Sequence, residues 1–396
     1  MNAQAKTDWG AITIALVAGV IAAIHYGKMP PALPAIRSEI PVSLIVGGWV
    51  MSIFSATGMT LGIAAGTFAD RLGAKQLSVL GLVTLGLGSL LGAGSDSGAL
   101  LLASRFVEGF GFIAVAVSAP ILIVRATAPR DLQLALGIWT TYMPAGMALA
   151  MVFIPLLIIQ FGWRQVWIGA AITAFLWMLL VVWREKAAGV STPPVKPTHS
   201  LGENISLTLR APGPWLLSLA FAFYTVQWIS LMAWLPSFLV EERGLSMTAT
   251  GLLTAIVVAA NIPGNLIVGW FFKLGISRCN ALIISALGLS LSAWGLFHEG
   301  MPDMVRFIFC VSFSFFGGMT PGAALSGAPV VAPTPGQIGT VNGMMVQGSH
   351  VGQLLGPPAL AAVATLTGDW GNTLWVLWGG SVGIIGMALL YRKLID

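Results

Sequence analysis

Charged residues punctuate this chain at long intervals, and the stretches between them are continuously apolar. Runs without Asp, Glu, Lys or Arg cover 9–27, 40–69, 76–95, 132–163, 165–183, 211–240, 244–272, 279–298, 307–368 and 370–391. A helix needs about 20 apolar residues to cross the hydrocarbon core of a bilayer, so each run is a candidate span. The run 307–368 is too long for one helix and breaks at 329–339 (PVVAPTPGQIG), which divides it into two. The stretch 99–124 adds a further span, with Arg105 and Glu108 inside it, and the predicted total is twelve.

The longest polar, Pro-containing segment lies between the sixth and seventh spans and reads as a linker. The expected organisation is a six-helix bundle over 1–183, a cytoplasmic linker over 184–212 and a second six-helix bundle over 213–396. A fixed offset supports two related halves. Leu33 and Pro34 match Leu235 and Pro236, Gly48 and Gly66 match Gly251 and Gly269, and Arg105 and Pro120 match Arg306 and Pro321. Gly137 and Pro155 likewise match Gly339 and Pro357. Parallel repeats of six helices form a substrate site near the midplane between halves that rock about it.

Composition agrees: 57% of residues are hydrophobic and 8% charged, against roughly 25% charge in a soluble domain. A water-soluble enzyme is thereby excluded. Lys and Arg accumulate in short cytoplasmic loops. With both termini inside, the cytoplasmic segments hold Lys6, Arg71, Lys75, Arg125, Arg130, Arg184, Lys186, Lys196, Arg210, Lys273, Arg278, Arg392 and Lys393, whereas the outer loops hold Arg37, Arg164 and Arg243. The net charge of +5 is therefore a topology signal spread over many loops, and no nucleic-acid partner is expected. Cys279 and Cys310 lack metal-ligand spacing and read as buried thiols. No cleavable leader is expected, because the first apolar run is longer than a signal core. No G-x-x-x-x-G-K-[ST] loop is present, which argues against a nucleotide-driven pump.

The loop after the second span, Gly66-Thr-Phe-Ala-Asp70-Arg71-Leu-Gly73-Ala-Lys75, resembles the signature loop G-x-x-x-D-R-x-G-x-[RK] of the major facilitator superfamily. Arg105 with Gly109 resembles the family's R-x-x-x-G motif of helix four. The resemblance covers the whole chain, and implies an all-α membrane protein of twelve transmembrane helices in two pseudo-symmetric bundles. It also implies that Gly66, Asp70, Arg71 and Gly73 gate the conformational change at the cytoplasmic face, the glycines allowing close approach of the chain. Lys28-Met-Pro-Pro-Ala-Leu-Pro34, Gly111-Phe112, and Tyr142-Met-Pro144-Ala-Gly146 are most similar to the bacterial cyanate-permease-like branch. That branch implies a secondary active transporter, moving a small polar or anionic solute across the bacterial inner membrane by alternating access coupled to protons. Expected partners are the solute, protons and the lipid bilayer, with a monomeric protein and no cofactor. Drug or metabolite efflux by proton antiport stays an alternative, although helix five departs from the drug-antiporter pattern. Metal transport, which would use the soft thioethers of Met143, Met147 and Met151, is a further alternative, but Met is also an ordinary packing residue. A channel and a non-transporting sensor are rivals from other classes.

Charges inside a bilayer are costly and usually face the protein interior or a wet cavity. At about 1.5 Å rise per residue, His25 and Glu108 fall in one predicted layer and Lys28 and Arg105 in the next. One reading gives Arg105 and Lys28 to an anionic group, with Glu108 or His25 carrying the coupled proton. The other is a structural ion pair, Arg105–Glu108 or Lys28–Glu108, that neutralises buried charge. Tyr142, Tyr224, Gln227, Gln347 and His350 complete the candidate substrate-binding residues, each equally readable as a packing contact. Arg306, three residues after Asp303, reads as a salt bridge, a snorkelling side chain or a binding residue, and Asn261 with Asn265 as a pair that holds neighbouring helices together. No metal site is expected.

Overall fold

The computed structural model describes residues 6–62, 72–139, 141–188, 201–334 and 337–395. Among them, eleven helices are long and apolar enough to cross a membrane. The first half contains α1 (Trp9–Glu39), α2 (Leu44–Gly62), α3 (Ala74–Ala93), α4 (Gly98–Ala126), α5 (Tyr142–Phe161) and α6 (Trp163–Ala188). A short helix α7 (Leu201–Arg210) then leads into the second half. That half contains α8 (Pro212–Glu241), α9 (Met247–Lys273), α10 (Arg278–Phe297), α11 (Asp303–Leu325), α12 (Ile338–Thr367) and α13 (Leu374–Ile395). Helix α12, at 30 residues, is long enough to span but falls outside those eleven; it carries the polar Asn342, Gln347, His350 and Gln353. With it, the predicted twelve are present.

The two halves repeat the same packing. Helix α3 lies against α4 and α6, and α1 against α4 and α5; correspondingly, α10 lies against α11 and α13, and α8 against α11 and α12. The halves meet where α2 packs on α12 and α5 on α9. Residues that matched in the sequence repeat make these contacts. A Cβ on Gly48 would lie 2.9 Å from Pro358 Cα and 3.1 Å from the Pro357 carbonyl oxygen, and a Cβ on Gly251 would strike the Met151 carbonyl and lie 3.0 Å from Pro155. Both contacts fall in the half of the molecule remote from the chain termini. Arg37 and Glu241 close the same end, with Nη1 2.8 and 3.0 Å from the two carboxylate oxygens.

Three sequence expectations change here. The first span was read as 9–27 followed by an outer loop, but a second helical segment, Met29–Glu39, continues it. Proline fits the first turn of a helix, where no N–H partner is needed, and Pro30 and Pro31 occupy that turn. Lys28 therefore sits at a joint near the middle of a 31-residue span. The segment read as linker is partly helical: α6 runs on to Ala188, and α7 turns Asn204, Ile205 and Thr208 inward while Ser206, Leu207 and Leu209 stay exposed. Arg306 does not pair with Asp303. Its Nε donates to the Leu296 carbonyl at the end of α10 (3.0 Å), and Asp303 lies 3.5 Å from Arg243.

Local chemistry fixes the helix starts. Ser43, Ser97, Ser246 and Ser277 cap α2, α4, α9 and α10 by accepting from backbone N–H groups three residues on. Asp8 caps α1 and also accepts from Arg184 at 3.0 Å, which ties the start of α1 to the end of α6. The Ala11 N–H, with Arg184 behind it, holds the Asp8 carboxyl below its ordinary value against the opposing effect of burial. Its contribution is thus present above the usual carboxylate range and is lost as pH falls through the depressed value.

The glycine contacts between halves give a measurable expectation. Overpacking a tight contact costs about 1–3 kcal/mol, so Gly48→Ala combined with Gly251→Ala will wedge the halves apart at the end bearing Ser38 and Glu242. Spin labels at those two exposed positions should report a longer mean distance than in the parent. Gly379→Ala, whose added Cβ meets nothing within 4 Å, should leave it unchanged. An unaltered distance in the double variant would show that this contact does not close the end.

Candidate functional site

Pro30 has no N–H, so the helical hydrogen bond to the Tyr26 carbonyl cannot form. Arg105 of α4 fills the gap: Nη2 donates to the Tyr26 carbonyl (3.3 Å) and Nη1 to the His25 carbonyl (2.7 Å). The guanidinium lies on the Phe54 ring of α2, 4.5 Å from its centroid. One turn further along α4, Gly109 lets the Phe54 backbone come close, since a Cβ there would strike the Phe54 carbonyl oxygen. The R-x-x-x-G spacing thus places one cation and one gap on the face that crosses α2.

Arg105 also pairs with Glu108, three residues along the same helix face. The carboxylate is shared further. Its Oε1 accepts from Lys28 Nζ at 2.5 Å and from Ser89 Oγ at 2.5 Å, and lies 3.1 Å from His25 Nδ1. Lys28 Nζ lies 4.6 Å from the Trp167 ring centroid, which closes the site from α6. Lys28, Arg105 and Glu108 are all 0% exposed and His25 is 1% exposed. With neutral His25, two cations face one carboxylate, and the cluster carries one excess positive charge. Among the described residues, the Arg105 Nε and the His25 Nε2 have no hydrogen-bond partner.

Four residues of the candidate set therefore converge inside the first half: His25, Lys28, Arg105 and Glu108. Ser89 completes the cluster and was not singled out from the sequence. Its signal lay in the glycine run of α3: a Cβ on Gly88 would lie 2.6 Å from Glu108 Cγ, so that run is the floor on which the carboxylate rests.

The other candidates lie elsewhere. His350 stands at the boundary of the halves, its ring 6.1 Å from Phe112 and close against Gly58, with Nδ1 unpartnered. Tyr142 stacks on Trp139 (4.2 Å) and lies 6.4 Å from Phe112. Tyr26, Phe54 and Phe112 complete this aromatic layer, with ring centroids 5.2–6.3 Å apart. Gln347 crosses the boundary by donating to the Met59 carbonyl (2.5 Å). A further crossing bond, Ser55 Oγ to Gln353 Oε1 at 3.1 Å, involves two residues outside the candidate set. Tyr224 accepts from Asn261 Nδ2 (2.9 Å), and Gln227 accepts from Ser381 Oγ of α13 (3.0 Å). Both are bonded within the second half. Gly66, Asp70 and Arg71 lie outside the described residues. At Gly73 a Cβ would meet nothing within 4 Å among the described residues, and a φ of +83° at the start of α3 favours glycine. Met147 and Met151 are buried, and among the described residues no group of three His, Cys, Asp or Glu could hold a metal.

Several known proteins are similar to this chain. The hexuronate transporter of Bacillus subtilis (strain 168) is 27% identical over 62% of this chain, which spans 60% of that relative's length. The "Probable sulfoacetate transporter SauU" of Cupriavidus necator is 23% identical over 99% of this chain and 95% of the relative. The cyanate transport protein CynX of Escherichia coli (strain K12) is 25% identical over 60% of each chain. Among solved structures, a bacterial homolog to the human lysosomal transporter Spinster, inward-facing and unoccupied, superposes with a TM-score of 0.76 at 16% identity, covering 97% of this chain and 95% of that one. The profile of the Major Facilitator Superfamily matches residues 15–357, and with twelve helices in two repeated bundles the chain belongs to that superfamily.

Proposed function

We propose that this transporter moves a small organic anion by alternating access across a bacterial inner membrane, with both termini cytoplasmic. The observation that carries the reading is the excess buried positive charge of the Lys28–Arg105–Glu108 cluster. Burying an uncompensated charge costs several kcal/mol even after relaxation, and an anion bound between the halves is the natural compensation. The aromatic layer of Tyr26, Phe112 and Tyr142 reaches His350, whose Nδ1 has no partner among the described residues, and offers a surface for the organic part of the solute. The anions in the names of the relatives, hexuronate, sulfoacetate and cyanate, support the same class. Tyr224 and Gln227 then act by shaping helices, since their polar atoms are engaged within the second half, whereas Gln347, whose buried Oε1 has no partner among the described residues, stays a substrate-binding residue.

Residues 1–183 and 213–396 are proposed as the two rocking bodies, joined by 184–212. The contacts between them at the end remote from the termini support reading this as a state closed to the outside. Gly66, Asp70 and Arg71 are proposed to secure the opposite, outward-facing state. For the coupled proton, the geometry supports His25 acting with Glu108. His25 touches the carboxylate through Nδ1 and keeps Nε2 free, so the imidazole can gain or lose a proton without breaking the ion pairs.

Three variants in proteoliposomes test the reading. Lys28→Met keeps the Arg105–Glu108 pair and removes the excess charge. It should raise the KM for sulfoacetate or hexuronate uptake at least about tenfold, the effect of about 1.4 kcal/mol, with a melting temperature near the parent's. Unchanged KM would sink the counter-charge reading. Glu108→Gln leaves two cations unpaired and should cost about 3–5 kcal/mol of stability; Lys28→Met added to it restores the parent's net charge and should recover part of that loss. His25→Gln should abolish uptake driven by a pH gradient while solute exchange persists. If gradient-driven uptake survives with its normal pH dependence, His25 carries no coupled proton.

A further inference from the structure

A groove of about 640 Å³ runs along the outside of the first half between α1, α5 and α6. Its rim residues Leu149, Phe153, Leu157 and Phe161 are 39–58% exposed on a surface that faces hydrocarbon in a bilayer, so whatever enters comes from the lipid. The size suits a single compact ligand. Gly169 lies in its wall, and a Cβ there would meet nothing within 4 Å. The lining is apolar except for His25, Gln165 and Thr173.

His25 sets the chemistry of the occupant. Its Nδ1 turns to Glu108, Ser89 and Lys28, so Nε2 lies on the other side of the ring, in a residue that lines the groove. That atom is buried and unpartnered, in a residue near the middle of α1 and hence near mid-membrane. A phospholipid tail reaching this depth ends in a methyl group and leaves Nε2 unsatisfied. A phospholipid headgroup cannot reach it. A single-chain weak acid can, because its protonated form crosses hydrocarbon and its polar group lies at one end.

We propose that the groove binds a single-chain carboxylic acid from the bilayer, carboxyl inward, with its O–H donating to His25 Nε2. With Nδ1–H donating to Glu108, Nε2 is the acceptor, and the hydrocarbon body lies along Ile24, Ala150, Ile154 and Val166. The excess positive charge behind His25 favours an acid over an amine. Proton transfer along that hydrogen bond, from the carboxyl oxygen to Nε2, gives an imidazolium–carboxylate pair with no change in total charge. The site shares His25 with the proposed proton path, but its occupant approaches from the lipid and not from between the halves, so labelling in the groove is read separately from solute uptake.

The test uses lauric acid with a photoreactive diazirine near its carboxyl end, added to the full chain in phosphatidylcholine nanodiscs. Labelled residues are mapped by mass spectrometry. Saturable labelling of Ala150, Ile154 or Gly169–Thr173 is expected, competed at least tenfold better by lauric acid than by methyl laurate. Gly169→Trp, which fills the groove, should abolish it, and Gly169→Leu should weaken it, both with parental melting temperatures in lipid alone. His25→Phe should remove the preference for acid over ester. Equal competition by the ester, labelling that survives Gly169→Trp, or equal labelling by a diazirine phosphatidylcholine would overturn the proposal; the last outcome would make the groove a seat for ordinary lipid.

Discussion

A carboxylate in the middle of a hydrocarbon slab has to be surrounded by donors, and in this protein Glu108 draws them from three helices. Lys28 comes from α1, Ser89 from α3 and Arg105 from α4, while Trp167 of α6 covers the lysine. Each donor is itself fixed by something else in the sequence. Pro30 frees the carbonyl that holds Arg105, Gly88 makes room for the Glu108 side chain, and Gly109 brings α2 within reach of the guanidinium. Removing the carboxylate would strand two buried cations, so the packing of four helices in the first half depends on one ionised group.

The second half is built differently. It uses neutral hydrogen bonds: Asn261 to Tyr224 and to the Ser314 carbonyl, Trp228 to Ser314, and Ser381 to Gln227. Arg306, the repeat mate of Arg105, only ties the end of α10. The bundles therefore share a backbone plan but not an electrostatic one. The field acting on anything between them comes from the first half.

The boundary between halves suits repeated opening. Its contacts are glycine against proline or backbone, two side-chain hydrogen bonds from α12, and an Arg37–Glu241 pair in which both residues are partly exposed. A solvent-exposed ion pair contributes about 0–1 kcal/mol, and none of the described crossing contacts buries a charge pair. The irreversible-looking interactions lie within a half; the modest ones lie between halves.

Hydropathy and charge spacing determined the number of spans, because the cost of exposing backbone and charge to lipid leaves few alternatives. The offset repeat also located Gly48, Gly251, Pro155 and Pro357, which meet across the boundary. Helical spacing placed Arg105 beside Glu108, and depth arithmetic brought His25 and Lys28 to their level. Rotation of the helices was not legible. Gln227 and Tyr224 face into their own bundle, whereas Ser55 and Gln353 bridge the halves, and nothing in an apolar helix with polar residues on several faces announces which one turns inward. Ser89, an ordinary serine in a glycine-rich span, became part of the cluster only when α3 packed on α4. The sequence alone determined which charges are buried and how deep they lie. Only the tertiary structure decided that they share one carboxylate and leave one charge in excess, because that depends on which helix faces meet.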